Sequence, residues 1–416
     1  MGEIVLQVDN YEYTGWTEAL ITKSLTSIAG TFSFTVTDKF PTKPENWDIK
    51  MGDPCTVFYK EKNRDNQVMI TGYIEDMHNK YTKEHHEFTI KGRDKTGDLV
   101  DCSFIESVNS WKEQTILFVI SALCLPFNIS VVAHESVEDV VNNKITFKVD
   151  EGSTVLEMIS KICRSVAILP VSYGDGNLTL TRAPIVGGQV INPWTISNVI
   201  TNDAIESGVN VLTGALLQSN KERYSHYWVK AQTSGMPPWI TELIENMDFA
   251  AMSSSEGEKG RQDSSNYGFE LDTPIVEDKL IQRYRPVVIL SDIPTSDGGC
   301  RKRAYWEMRV RAGQSRVLSY SVQDWVQSNG ILWPLNALAR IKDRQFGIDN
   351  QLLISELTFV VNRGGTKTMM TLLDPTTFEL IEEPLEKMGM WSDFGEKLIA
   401  AWGPKDPIKD KGTVRK

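Results

Sequence analysis

Cysteine is scarce. Five residues in 416 (Cys55, Cys102, Cys124, Cys163 and Cys300) make an odd number at wide spacings, with no CxxC pair. That excludes a disulfide framework or a zinc site and predicts free thiols in a reducing compartment. Histidine is as rare, with five residues, and none stands in an HExxH or triad-family context. No catalytic, cofactor-binding or metal-binding residues are therefore assigned. Long apolar runs are missing, so no membrane anchoring is expected. The opening MGEIVLQVDN lacks the basic stretch and apolar core of a signal peptide, and position 6 lacks the Ser or Thr that favours myristoylation of Gly2. Synthesis and assembly in the cytoplasm are the expectation. Excess positive charge is absent too: 44 Lys and Arg against 55 Asp and Glu leave a net charge of −11. Such a chain is no nucleic-acid clamp, but its surface would let a polyanion pass without sticking.

What is present is mostly β pattern. With 41% hydrophobic and 24% charged residues, the composition is that of a folded chain of about three domains. In GTFSFTVTD, Phe32, Phe34 and Val36 alternate with Thr31, Ser33, Thr35 and Thr37, the period of a half-buried strand. VMITGYI (68–74) and EFTI (87–90) continue it. After Arg93 the character changes. Ser110 and Glu113 read as a capping box before a helix whose stripe is Ile116, Ile120, Leu123 and Cys124. KITFKV (144–149) reads as a strand. STVLEMISKIC reads as a second capped helix, with Val155, Ile159, Ile162 and Val166 on one face, followed by a hairpin turning at Asp175-Gly176. Residues 94–182 thus look like an α+β module set into a β protein. A second β region opens at RYSHYWVKAQ. It is interrupted at 233–280 by a Ser-, Gly- and charge-rich stretch expected to be a mobile loop. It resumes through YRPVVIL, a helix expected to end at Gly313 as its C-cap, and strands to about residue 380.

An internal repeat organises these strands. DNQVMITGYIEDM (65–77) resembles DNQLLISELTFVV (349–361), and each is followed by a strand and an Asp-x-Thr, at Asp94 and at Asp374. This disposes of a tempting motif. Gly92 and Gly97 have the spacing of a phosphate-binding loop, but Asp98 and Leu99 stand where Lys and Ser/Thr are required, and a carboxylate opposes phosphate. Other candidates are weaker still. His85 and His86 are adjacent and would point to opposite faces of a strand. The sequence AGQSR (312–316) lacks the second Gly of a nucleophile elbow. No carboxylate pair such as Glu382-Glu383 has the setting of a glycosidase. Tyr224, His226 and Trp228 alternate along a strand as core or subunit contact. The basic cluster of Arg301, Lys302, Arg303, Arg309 and Arg311 is either a solvated helix face or a surface for an acidic partner.

Taken in order, GTFSFTVTD, ITGYIEDM with IKGRDKTGDLVDCS, STVLEMISKIC with YGDGNLTLTR, YSHYWVKAQ, RAYWEMRVRAGQS and GILWPLNALARI with LLISELTFVVNRGGTKTMMTLLDP resemble the baseplate hub proteins of contractile phage tails of the Mu-like type. Those are related in fold to the N-terminal part of type VI secretion spike proteins. The resemblance implies a mainly β fold with two duplicated tube-like β-barrel domains, at 1–93 and 207–380, and a smaller α+β domain at 94–182. Residues 183–206 are an unassigned connection. It implies a structural protein, not an enzyme: a homotrimeric ring in the virion tail baseplate that joins the sixfold tail tube to the threefold central spike and lets DNA pass without specific binding. Implied partners are the spike, the tail tube or a distal tube-like protein, the tape-measure protein, and baseplate wedge or surrounding subunits. A type VI or tailocin spike component would keep the fold; a tail-tip peptidoglycan hydrolase would need an acid pair that is not in evidence in the sequence.

The tail, 381–416, falls outside the resemblance. Trp391, Phe394, Leu398, Ile399 and Trp402 would form one apolar stripe on a helix, with Glu396 and Lys397 outside it. Such a stripe either packs back on its own domain or docks on another baseplate subunit.

Overall fold

The computed structural model describes residues 2–38, 49–62, 64–83, 86–184, 203–231, 275–291 and 297–380. The fold is mainly β. Seven strands come first: β1 (Glu3–Val8), β2 (Tyr11–Tyr13), β3 (Glu18–Ser24), β4 (Thr31–Asp38), β5 (Pro54–Lys60), β6 (Gln67–Tyr81) and β7 (His86–Asp94). They are joined in the antiparallel order β3-β4-β7-β6-β5-β1-β2. The alternation in β4 places Phe32 and Phe34 in the core, at 2% and 0% exposure, with Thr31 on the outside.

The chain then leaves the sheet through a short helix, α1 (Gly97–Asp101), and builds β8 (Ser110–Thr115), α2 (Ile116–Cys124), β9 (Val131–Ala133), α3 (Glu138–Val141), β10 (Lys144–Lys148), α4 (Val155–Ser165), β11 (Leu169–Val171) and β12 (Leu178–Thr181). These elements bury a separate hydrophobic cluster that includes Ile116, Ile120, Leu123, Val155, Ile159, Ile162 and Leu180. Thr154 and Glu157 form the reciprocal capping box of α4. The other expected box does not form. Ser110 and Glu113 lie in β8, and Thr115 caps α2 instead by accepting from Phe118 N. Trp111 decides this: it pairs across strands with Phe147 and packs edge-on to Phe104, so it is buried as part of a ladder.

The second half holds β13 (Ile205–Glu206), β14 (Val211–Gln218), β15 (His226–Ala231), β16 (Val276–Glu277), β17 (Pro286–Ser291), α5 (Asp297–Gln314), β18 (Arg316–Gln323), β19 (Leu338–Asp343), β20 (Ile348–Asn362) and β21 (Gly365–Leu373). The order β14-β18-β21-β20-β19 repeats β3-β4-β7-β6-β5, strand for strand. The long third strands match in detail. β6 carries a register shift against β7 between Ile74 and Asp76, and β20 carries one against β21 between Ile354 and Glu356. The Asp-x-Thr signals mark equivalent places. Asp94 and Asp374 each accept from the backbone N–H and the hydroxyl of the Thr two residues on, Thr96 and Thr376.

The Asp-Asn-Gln signals are not equivalent. With Asp94 matched to Asp374, Tyr73 corresponds to Leu353, since their partners across the ladder are Arg93 and Leu373. Asp65 then corresponds to Gln345, four residues before Asp349. The duplication is real, but this short identity is out of register with it.

A single path of hydrogen-bonded strands runs through both repeats because β3 also pairs antiparallel with β20. One buried cluster spans them, from Ile21, Phe34 and Ile74 to Tyr320, Leu357 and Phe359. The repeats differ in the link between their first two strands. β3 reaches β4 directly, whereas between β14 and β18 lie β15, β16, β17 and α5, packed around Tyr227, Val229, Val276, Cys300 and Ala304. In β15 the buried residues are Tyr227 and Val229, so His226 and Trp228 form the opposite, half-exposed row, while Tyr224, just before the strand, packs edge-on to Tyr227 against the same cluster. Gly313 does not cap α5. It lies within the helix, where a Cβ would come 2.0 Å from Thr377 Oγ1, so close packing against the turn Pro375–Phe378 that follows β21 explains it. Of the 233–280 stretch only 275–280 is described, and Val276–Glu277 there is a strand on β15.

Candidate assembly surfaces

The pseudo-phosphate loop resolves into packing. Gly92 lies inside β7, where a Cβ would stand 2.2 Å from the Tyr73 carbonyl oxygen and 2.4 Å from the Phe32 ring. The neighbouring strands β4 and β6 crowd it from both sides, and nothing larger than hydrogen fits. Asp94 follows, nearly buried, and its carboxylate is consumed locally by Thr96 and by the Ser172 hydroxyl at 2.9 Å. Burial raises its pKa above the usual carboxylate value. Burial likewise pushes Lys23 down to about 8, against the attraction of Asp94 and Asp175. Lys23 Nζ donates to the Tyr173 carbonyl at 2.7 Å. This group fastens the α+β module to the first repeat. Its hairpin enters through Gly174, whose carbonyl accepts from Thr71 N at 2.7 Å.

The two repeats and the module meet around a cleft of about 370 Å³, with Lys23, His134, Tyr173, Trp333, Leu335 and Phe359 among its walls. His134 Nε2 and Trp333 Nε1 are buried and have no hydrogen-bond partner among the described residues. His134 Nδ1 is taken by Ser136, and burial lowers the His134 pKa, favouring the neutral ring. Beside the cleft, the Gln67 side chain clamps the second repeat, donating to Gly330 O at 2.9 Å and accepting from Leu332 N at 3.0 Å. That is what the Gln of the first Asp-Asn-Gln does, and Gln351 has no such task.

The basic helix α5 spends most of its cations inside the chain. Arg303 and Arg311 both bind Glu307, Arg309 binds Glu379, and Arg303 also stacks over Trp306. The solvated-face reading fits Arg301 and Lys302, of which Arg301 lies over Tyr305, and also Arg309, whose ion pair lies at the surface. Among the described residues no group of three or more His, Cys, Asp or Glu could hold a metal ion, and no helix is long and apolar enough to cross a membrane. None of the five cysteines is in a disulfide, and Cys55, Cys124, Cys163 and Cys300 are buried; burial raises the thiol pKa of Cys55 and Cys124 to about 12. Trp391, Phe394, Leu398, Ile399 and Trp402 lie outside the described residues, as do Glu382, Glu383 and His85.

Three parts of the chain match known families. Residues 3–94 match "Mu phage baseplate assembly protein GpP-like, N-terminal", residues 96–182 "Baseplate hub protein gp44-like, second domain", and residues 296–381 "Mu phage baseplate assembly protein GpP, fourth domain". The baseplate hub protein gp44 of Escherichia phage Mu is 27% identical over 373 residues, 89% of this chain and 87% of that protein. The 43 kDa tail protein of prophage MuSo2 from Shewanella oneidensis superimposes with a TM-score of 0.71 at 26% identity, covering 91% of this chain and 100% of that one. A tail protein from Neisseria meningitidis MC58 shares the fold, with a TM-score of 0.66 at 19% identity over 91% of this chain and 99% of that one. Over most of its length, and in domain order, the chain resembles the baseplate hub proteins of Mu-like contractile phage tails, which are structural tail components.

Proposed function

We propose that the protein is the structural hub of a contractile-tail baseplate: a homotrimeric ring that adapts a sixfold tail tube to a threefold central spike and leaves a channel for DNA. The observation that carries this reading is the duplication within one chain. Two repeats of one strand order, fused through β3 and β20, let three copies present six similar units while keeping threefold symmetry at the other end. The domain division that goes with it is 1–93 and 207–380 for the ring-forming units and 94–182 for a module outside the ring or toward the spike. The tape-measure protein and surrounding baseplate subunits are its further partners, and the work is docking, with no chemical step. The net charge of −11 suits a channel that DNA must traverse without being held.

The test is mass measurement of the purified protein, alone and with its spike, by light scattering or native mass spectrometry. A trimer, free or on the spike, is expected. A monomer at every concentration, with and without spike, would overturn the proposal.

A further inference from the structure

The cleft of about 370 Å³ where the two repeats and the module meet has the size of a small-ligand pocket. Each of the three bodies supplies part of an apolar wall. The first repeat contributes Val68 from β6, the second Ile331, Leu335 and Phe359, and the module Val132. Val68 and Ile331 stay 46% and 43% exposed, so apolar surface is left open at a junction that buries its other sides.

The polar groups that stand out in these walls are donors. His134 comes from the module. Its backbone N–H continues the β9–β12 ladder to the Leu180 carbonyl. Leu178 and Leu180 face the core of the module, so Val132, His134 and Thr179 lie on the opposite face, toward the cleft. His134 Nδ1 accepts from Ser136 N at 3.1 Å, which leaves the proton of the neutral ring on Nε2. Trp333 Nε1 can only donate. Both side chains are more than nine-tenths buried, at 2% and 4% exposure, and neither N–H has an acceptor among the described residues. Lys23 stands in the same wall; one of its protons goes to the Tyr173 carbonyl, and an ammonium has two more to give. Asp175, the acid among these residues, is exposed at the rim and both its oxygens accept from Asn177. Buried donors are rarely left unpaired, and two beside a cation call for an acceptor from outside the chain.

We propose that this cleft binds a small amphipathic carboxylate, an acid with a short apolar body that lies against Val68, Leu335 and Phe359 while its carboxylate accepts from His134 and Trp333 beside the Lys23 ammonium. A carboxylate offers acceptors only and carries the charge that balances Lys23. An alcohol brings the acceptor without the charge, and an ammonium brings more donors to a wall of donors. The ligand touches both repeats and the module at once. It therefore binds the assembled junction and not the unfolded chain, and stabilises the junction by mass action. The site lies within one chain and is independent of how copies assemble.

Calorimetric titration of the full-length protein with octanoate, octanol and octylammonium tests this, because the three share one apolar body and differ in the head group. Octanoate should bind one site per chain, about tenfold or more tighter than octanol, and should raise the melting temperature; octylammonium should do neither. Val68→Trp, at a half-exposed position, fills the cleft and should abolish binding. Trp333→Phe and His134→Asn each remove one donor, and Asn keeps an acceptor for Ser136 N. Each should reduce the preference for octanoate over octanol by about tenfold. A loss of shape alone would weaken both probes equally and leave the preference intact. Circular dichroism confirms folding, and because the three variants sit on separate elements, failure of one to fold leaves the others to decide. No binding of octanoate at millimolar concentration overturns the proposal, as does equal binding of octylammonium. Octanoate binding that survives Val68→Trp, or a preference untouched by both donor variants, places the acid elsewhere and overturns it too.

Discussion

The Ser172 hydroxyl donates to Asp94 Oδ2 at 2.9 Å, across a sequence separation of 78 residues. One carboxylate thereby ties the α+β module to the first repeat while its other oxygen closes the turn at Thr96. Asp374 makes the same turn with Thr376 but is exposed and carries no module. Asp94→Ala should therefore cost on the order of 2–4 kcal/mol, since it strands buried donors, and Asp374→Ala only about 1 kcal/mol. Urea unfolding of the two variants measures the difference; equal losses would show that burial of the first site contributes nothing.

Lys23 predicts a pH dependence with a definite sign. Its pKa is pushed down from 10.5 to about 8. Between those values the unfolded chain holds a proton that the folded chain has released, so this group makes stability rise as pH climbs through that window. Lys23→Met removes the rise. The stability of the variant relative to wild type should fall by on the order of 1–3 kcal/mol between pH 8 and pH 10. A difference that is flat across this range would contradict the burial of the ammonium group.

Gly174→Ala should detach the hairpin from β6. The residue has φ +88, and a Cβ would lie 1.9 Å from the Met69 carbonyl oxygen, which is backbone and cannot yield. Gly365, at φ +100, has open space around it, so Gly365→Ala should cost only about 1 kcal/mol. Thermal melts should show a clearly larger loss at 174, with hydrogen exchange at Thr71 N speeding up there alone.

The acidic charge predicts weak interaction with DNA. Retention through counterion release needs clustered cations, and the arginines of α5 are largely paired within the chain. A gel shift with duplex DNA at low salt should show no tight complex. Nanomolar, salt-sensitive binding would reverse this expectation.

The stripe of Trp391, Phe394, Leu398, Ile399 and Trp402 is the proposed contact for another baseplate subunit. Removing residues 385–416 should leave a soluble protein of unchanged oligomeric state that fails to join the baseplate. Infectious particles at normal yield from the truncated protein would show that the tail has no such role.

The sequence by itself determined the β character, the two-copy plan and most of the helix stripes. Phe32, Phe34, Ile159 and Ile162 alternate or recur at the period of their element, and periodicity is a local property. The Asp-x-Thr turn was equally legible, because its hydrogen bonds span two residues. Tertiary structure decided what depends on distant partners. Trp111 turned an expected helix start into a strand because Phe147 lies across from it. Gly92 and Gly313 serve packing against Phe32 and Thr377, neighbours that no spacing reveals. Asp65 and Asp349 share residue types but not position, since register is set by inter-strand hydrogen bonds and bulges rather than by identity. The fusion of the repeats through β3 and β20 belongs to pairing across more than three hundred residues, which only the folded chain brings together.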